Sequence, residues 1–468
     1  ETKCGYVLSV MAIFWVFEPV HLAVTALMPI ALLPLLGILS TEKASLPYMK
    51  SANSLFIGGM LLAIAIEHSM LHKRVALKIL LIVGSSVKRI LFGIMLTTMF
   101  LSMWLSNTAT TAMMMPVVDA MVEEFERSET KVEASVPESN EKAELSLQFT
   151  SKETGEHNNK NHLKLRKIFL LSVAFAANIG GTGTLTGTGT NLVLQGLMED
   201  LYPNSEAISF ANWFLFAGPG VLVCIILTWG FFVLFYVRNK YNDKSRNQSL
   251  KLILEKKYKE LGPTTTHEKI VIALFVVVLA LWFFREPGFI RGWGSFFVVK
   301  ISDGTPAILI GILMFLLPTN FSQFQALAYD SKNTKIDKIL DWKTVNKRMP
   351  WGVMLLLGGG FSLAEATKES GLSRWLGAKL SSLNISSPIL VMILFIFIAA
   401  AVTEFCSNVA AASVILPVVN QAALNLNINP LMFMVPITIA VSFAFMLPVA
   451  TPPNAIVFEH AKMKPLDM

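Results

Sequence analysis

The sequence predicts an all-α polytopic membrane protein made of inverted structural repeats, with two re-entrant hairpins and two interrupted transmembrane helices. Three observations lead there. Hydrophobic residues fill 53% of 468 positions and charged residues only 15%, with a mean hydropathy of +0.57; a soluble chain carries about a quarter charged residues. Basic residues gather in loops that one threading of the chain places on a single side. Two parts of the chain also repeat the same polar and glycine positions at fixed offsets.

Apolar runs recur throughout, among them Trp213–Val237, Ile270–Phe284 and Pro388–Ala401. Each suits a hydrocarbon slab about 30 Å thick, where a helix rises about 1.5 Å per residue. Only helices and closed barrels satisfy their backbones there. These runs are continuous rather than alternating, which selects helices. Spans are expected at 6–20, 22–39, 50–71, 168–200 (interrupted), 213–237, 267–284, 305–318, 350–372 and 431–467 (interrupted). Regions 88–124 and 389–424 are too long for one crossing and carry a Ser-Asn break midway.

Loop charge decides how those two regions run. Segments 73–89, 123–167, 238–261 and 319–349 hold 27 of the 39 Lys and Arg residues. A single crossing at 88–124 would put the first two segments on opposite sides. A segment that dips in and returns keeps all four cytoplasmic, as the positive-inside rule requires. The net charge of +7 is then a topological signal, and no nucleic-acid partner is expected. Segment 124–166, rich in Glu, Ser, Lys and Asn, reads as a flexible cytoplasmic insertion. Segment 238–266 reads as a basic linker, partly helical around Leu250–Leu261. Cys4, Cys224 and Cys406 fit neither a disulfide framework nor a zinc site. Asn384-Ile385-Ser386 is an acceptor-type sequon on an expected outer loop.

The repeat is the most informative feature. Gly58-Gly59, Leu62-Ala63 and Ser69 match Gly359-Gly360, Leu363-Ala364 and Ser370. Gly59 lies 48 residues before Asn107, and Gly360 lies 48 before Asn408. Ser106-Asn107-Thr108 answers Ser407-Asn408-Val409. Pro116-Val117-Val118 answers Pro417-Val418-Val419, and Ser102 answers Thr403. Gly187-Thr188-Gly189-Thr190-Asn191 then aligns with Ala450-Thr451-Pro452-Pro453-Asn454. An odd number of crossings between the hairpins makes the repeats antiparallel. The expected division is therefore 1–87 for the first scaffold helices and 88–212 for the first transport elements (hairpin 88–124, insertion 124–166, interrupted helix 168–200). Residues 213–388 supply a connecting helix, the 238–266 linker and the second scaffold helices. Residues 389–468 supply the second transport elements (hairpin 389–424, interrupted helix 431–467).

Inverted repeats with broken helices are the architecture of secondary transporters, with the site at mid-membrane. Freed carbonyls and Ser, Thr and Asn oxygens are hard ligands for an alkali cation. Half-helix N-termini present unpaired N–H groups and partial positive charge to an anion. No Lys or Arg sits at any of the four breaks, so an anion there needs co-bound cations. A Ser-Asn pair in a membrane helix is, taken singly, often only packing glue. Four such motifs in a duplicated frame point to a site. The Gly-Thr run 180–190 lacks the Gly-Lys-Ser/Thr ending of a phosphate loop. Charged residues near the spans have plainer readings: Glu18 and His21 as interfacial, Glu67 and His68 as snorkelling or capping, Glu404 as a structural partner rather than a modulator of the second cation site. Glu365 and Glu369 are further intramembrane candidates.

The run Ser106-Asn107-Thr108-Ala109-Thr110-Thr111-Ala112-Met113-Met114 resembles the divalent anion:sodium symporters, in particular the animal sodium-coupled citrate and dicarboxylate branch. The run Ser442–Ala455 is the more specific match, and the resemblance covers nearly all of 1–468. It implies a first sodium site from Ser102, Ser106, Asn107 and Gly187, and a second from Thr403, Ser407, Asn408 and Ala450. It implies a carboxylate site whose halves are Asn107, Thr108, Thr188 and Gly189, and Asn408, Val409, Thr451 and Pro452. It further implies electrogenic co-transport of several sodium ions, no organic cofactor, a homodimer in the lipid bilayer of the plasma membrane, and elevator-type motion. Val409 stands where the pattern often has Thr, and Gly189-Thr190 precedes Asn191 where many members have Pro. The chain is expected to lack the family's first and last helices. Thr451 resembles the carboxylate branch, so succinate and citrate lead. Sulfate transport and a non-transporting homologue are the alternatives. An ion channel filtering through the Gly/Thr loops suits the inverted repeat less well. An enzyme is not expected, since His-Glu-x-x-His, Gly-x-Ser-x-Gly and paired catalytic Asp motifs are absent.

Overall fold

The computed structural model describes residues 1–84, 86–133, 164–203, 205, 208–237, 244–286, 290–320, 337–375 and 387–468. Most of the expected insertion and the Asn384 sequon lie outside the described residues. Within them every regular element is helical, with one isolated bridge between Pro318 and Lys338.

Helices Thr41–His68, Phe210–Phe235 and Thr266–Phe283 are long and apolar enough to cross a membrane. Their burial differs sharply. The apolar window is 67% buried in Thr41–His68 but only 17% in Phe210–Phe235 and 28% in Thr266–Phe283. Leu215, Leu222, Leu227, Leu234 and Phe235 project from the second helix into open space. In water each such side chain would forgo about 1.5–3 kcal/mol of transfer free energy; lipid removes that cost. The fold is that of an integral, multi-pass membrane protein.

All four expected breaks are present. Met103–Ser106 separates Val87–Ser102 from Asn107–Glu133, and Glu404–Ser407 separates Pro388–Thr403 from Asn408–Asn425. Residues 182–188 interrupt the helix spanning 164–181 before Gly189–Leu201. Residues 443–451 interrupt Leu431–Ser442 before Pro452–His460. The repeat glycines sit where helices touch. A Cβ on Gly58 would lie 2.4 Å from the Ala307 Cβ, and one on Gly360 would lie 2.3 Å from the Ser413 Oγ.

Some boundaries differ from expectation. The second arm of the first hairpin runs to Glu133 rather than ending at 124, because Glu, Lys and Arg are good helix formers in water. The basic stretch after residue 71 is largely helix, Leu71–Val83, entered through a left-handed Met70 with φ 61°. Its buried face includes Ala76, Leu77 and Leu80. The expected span 22–39 is split into Leu22–Thr25 and Met28–Leu35. The linker is helical over Lys244–Glu260. Arg74 fastens its end: the guanidinium pairs with Glu268 at 3.0 Å and donates to the carbonyls of Leu261, Gly262 and Pro263. Glu67 pairs with Arg348 at 3.3 Å, and the His68 ring meets His267 edge-on, which agrees with structural roles for both.

Candidate substrate and cation site

The four breaks line one cavity of about 920 Å³. From the first half come Ser106, Asn107, Thr108, Gly187, Thr188 and Gly189; from the second come Ser407, Asn408, Val409, Ala450, Thr451 and Pro452. Twelve of the residues singled out in the sequence thus share one wall. The halves touch: a Cβ on Gly189 would sit 2.6 Å from Val409 Cγ2. Ser102 and Thr403 do not line the cavity. They lie behind the tips, fully buried.

Behind each tip the same bonds recur. Ser102 Oγ is 2.6 Å from Asn107 Oδ1 and 2.8 Å from the Ala177 carbonyl. Thr403 Oγ1 is 2.8 Å from Asn408 Oδ1 and 2.5 Å from the Val441 carbonyl. A hydroxyl carries one hydrogen, so each faces two acceptors with a single proton. Three oxygens thereby converge with lone pairs to spare, a donor set that fits a hard alkali cation. Among the described residues no three His, Cys, Asp or Glu side chains gather as a transition metal would require.

The loops repeat as closely. Asn191 Nδ2 donates to the carbonyls of Gly181 (3.3 Å) and Thr184 (2.7 Å), ten and seven residues before it. Asn454 Nδ2 donates to Ala444 (2.9 Å) and Leu447 (3.1 Å), again ten and seven before. Both leave Oδ1 buried without a hydrogen-bond partner. Thr188 (φ −146°, ψ 148°) and Thr451 (φ −144°, ψ 150°) adopt one extended conformation at the helix starts. Neither side chain caps its helix, so the first N–H groups stay open to a ligand. The helix after Thr451 starts with Pro452 and Pro453, which lack N–H groups and offer fewer donors.

Several residues emerge only in three dimensions. Asn178 Nδ2 donates to Thr451 Oγ1 at 3.2 Å while its Oδ1 accepts from Asn107 at 3.4 Å, joining the halves. It was visible as an amide in an apolar run. Thr190 and Ser442 share a hydrogen bond of 2.6 Å across the same seam. Glu404 accepts from the backbone N–H groups of Phe445, Met446 and Leu447 at 2.9–3.1 Å, so its role is to hold the second unwound loop. Glu18 and His21, read as interfacial, line the cavity. Among the described lining residues there is no Lys or Arg.

A multi-pass helical protein whose paired helix breaks present amides, hydroxyls and helix N-termini to one cavity belongs to the class of secondary ion-coupled carriers. The family model described as "Sodium:sulfate symporter transmembrane region" matches residues 1–468. The chain belongs to that family. It is 41% identical over 508 aligned residues to solute carrier family 13 member 2 of Homo sapiens, covering 100% of this chain and 85% of the relative. It is 38% identical over 493 residues to the Na(+)/citrate cotransporter of Mus musculus, covering 100% and 86%. It is 40% identical over 486 residues to the sodium-dependent low-affinity dicarboxylate transporter 1 of Caenorhabditis elegans, covering 100% and 82%.

Proposed function

We propose that this chain is a sodium-coupled symporter importing di- and tricarboxylates such as succinate and citrate. The observation that carries the proposal is the pair of oxygen clusters behind Asn107 and Asn408, set beneath helix N-termini in a cavity whose described lining residues include no Lys or Arg. Sodium at Ser102, Ser106, Asn107 and Gly187, and at Thr403, Ser407, Asn408 and Ala450, supplies the positive charge that basic side chains do not. The carboxylates then bind between Asn107, Thr108, Thr188 and Gly189 on one side and Asn408, Val409, Thr451 and Pro452 on the other. The names of the citrate and dicarboxylate relatives support this substrate class.

The same proposal assigns the membrane arrangement. The repeats run in opposite directions, and the two hairpins re-enter from opposite faces. Glu18, His21 and Pro350 line the cavity and lie at the end of the chain's threading that carries the basic segments, so the cavity opens to the cytoplasm. The hairpins and interrupted helices move as one body against a scaffold of the remaining helices, in an elevator-type cycle. The scaffold's side of the cavity is mainly apolar, with Leu22, Phe56, Met60, Val353 and Leu356, a surface past which a loaded site can slide. The carrier is a homodimer in the plasma membrane. Uptake of radiolabelled succinate, citrate and sulfate into liposomes holding the purified chain tests the proposal. Saturable carboxylate uptake that disappears without sodium is expected. Sodium-independent flux overturns the coupling, and uptake of sulfate alone overturns the substrate class.

A further inference from the structure

Set against the apolar residues of the cavity's scaffold side, two polar side chains stand out. Among the described residues lining it from outside the hairpins and interrupted helices, only Glu18 and His21 are polar. They end the short linker between helix Thr2–Phe17 and helix Leu22–Thr25. Local hydrogen bonds hold the linker. Glu18 takes the left-handed conformation (φ 44°) and its N–H closes on the Phe14 carbonyl. Trp15 Nε1 donates across the linker to the Leu22 carbonyl at 3.4 Å. His21 Nδ1 accepts from the Ala23 N–H at 3.2 Å, which in the neutral ring leaves Nε2–H as a free donor. Glu18 shares the cavity lining with Cys406, which precedes the second Ser-Asn tip.

We infer that Glu18 and His21 are specificity-determining residues for the cytoplasm-facing half of the cycle. His21 offers a hydrogen bond to the carboxylate that projects from a substrate held at the tips, and Glu18 supplies the negative charge that favours its departure. Both belong to the scaffold, so a site that moves past the scaffold meets them in one orientation and leaves them behind in the other. A contact made in one state only biases that state. It acts more on citrate, whose third carboxylate extends beyond the tips, than on succinate. The inference rests on the proposed carrier function and the cavity's cytoplasmic opening.

The experiment measures apparent KM for citrate and for succinate from each side of oriented proteoliposomes, by uptake and by efflux. His21→Leu raises the cytoplasmic-to-extracellular KM ratio for citrate by about three- to tenfold, the size of one partly solvated hydrogen bond to a charged group. Succinate shows a smaller rise, and His21→Gln, which keeps a donor, restores the ratio. Glu18→Gln moves the ratio the other way. An unaltered ratio in both His21→Leu and Glu18→Gln, or equal KM changes on the two sides, overturns the inference. Should a variant give too little flux, equilibrium binding of citrate to the purified, sodium-loaded protein replaces the kinetic reading; unchanged affinity there overturns it as well. Loss of sodium-driven flux in the unmodified chain is a different result, and overturns the carrier function itself.

Discussion

The two unwound loops, 182–188 and 443–451, repeat one set of bonds but are braced from behind in different ways. The first leans on close backbone approach. A Cβ on Gly180 would lie 2.4 Å from the Met99 carbonyl, and one on Gly181 would lie 2.6 Å from Asn107 Oδ1. Thr184 donates to the Met103 carbonyl, and Trp213 Nε1 donates to Thr182 at 3.0 Å. The second break has Ala444 in the place of Gly181, ten residues before its asparagine. There a carboxylate, Glu404, gathers three backbone N–H groups. Buried backbone polar groups must find partners. One half satisfies its carbonyls with a Thr hydroxyl and an indole N–H, the other its N–H groups with a carboxylate. The first loop should therefore fail when atoms are added, and the second when charge is removed.

The largest effect is expected where the tips are alike. Asn107→Ala and Asn408→Ala each remove an oxygen from a cation cluster, and each should cut sodium-dependent uptake at least about a hundredfold, near 3 kcal/mol. Full activity in either would break the equivalence of the two halves.

Next come the changes that should separate the halves. Glu404→Gln halves the acceptor capacity and removes the charge from bonds worth about 1.5–3 kcal/mol each. Uptake should fall about tenfold or more. Gly181→Ala should act comparably on the first tip, through the contact with Asn107. A mild phenotype for Glu404→Gln would show that the second loop does not depend on its charge.

A finer comparison uses the hydroxyls. Ser102→Ala and Thr403→Ala should each raise the sodium concentration for half-maximal uptake, by about five- to tenfold for one lost ligand. Thr403→Ser, which keeps the oxygen, should stay near the parent. Val409→Thr would give the second tip the hydroxyl that Thr108 gives the first, with almost no change in volume. Substrate KM is expected to move by about two- to fivefold, toward tighter binding if the hydroxyl faces the carboxylate.

The smallest effect lies past the end of helix Pro452–His460. Lys167 donates to Asp467 at 2.6 Å and the Lys464 N–H donates at 2.7 Å. These bonds, the Lys167 side chain's first, hold the Asp467 carboxyl below its ordinary range. A lowered carboxyl pKa stabilises the fold above the unfolded value of about 3.9 and loses that contribution as pH falls through the folded value. Asp467→Asn should lower the melting temperature by about one or two degrees at pH 7, as befits a half-buried pair that solvent still screens. At pH 3 the difference should shrink.

Much of this arrangement was legible in the chain itself. The equal spacing from Gly59 to Asn107 and from Gly360 to Asn408 located both Ser-Asn breaks, because the same polar and Pro positions recur at fixed offsets around each. Ser102 and Thr403 were found the same way, five positions before each asparagine. Glu404 was recognisable only as a charge in an apolar setting. Its partners begin 41 residues on, and no local pattern links a side chain to backbone amides in another helix pair. Asn178 and Ser442 each lie near the end of the helix that precedes an unwound loop, but the contacts that make them matter are with the opposite half. Glu18 and His21 carried the signature of an interface, and only the folded chain turns that linker into a cavity wall.

By itself the sequence determined the class of protein, its helical character, the positions of the four breaks and the oxygen-rich chemistry at each. Those follow from local composition, period and spacing, which act along the chain. The tertiary structure alone decided which breaks face one another, what braces each from behind and which charges border the cavity. Those depend on contacts between segments hundreds of residues apart, where close packing and the need to satisfy every buried polar group select among partners that no local pattern distinguishes.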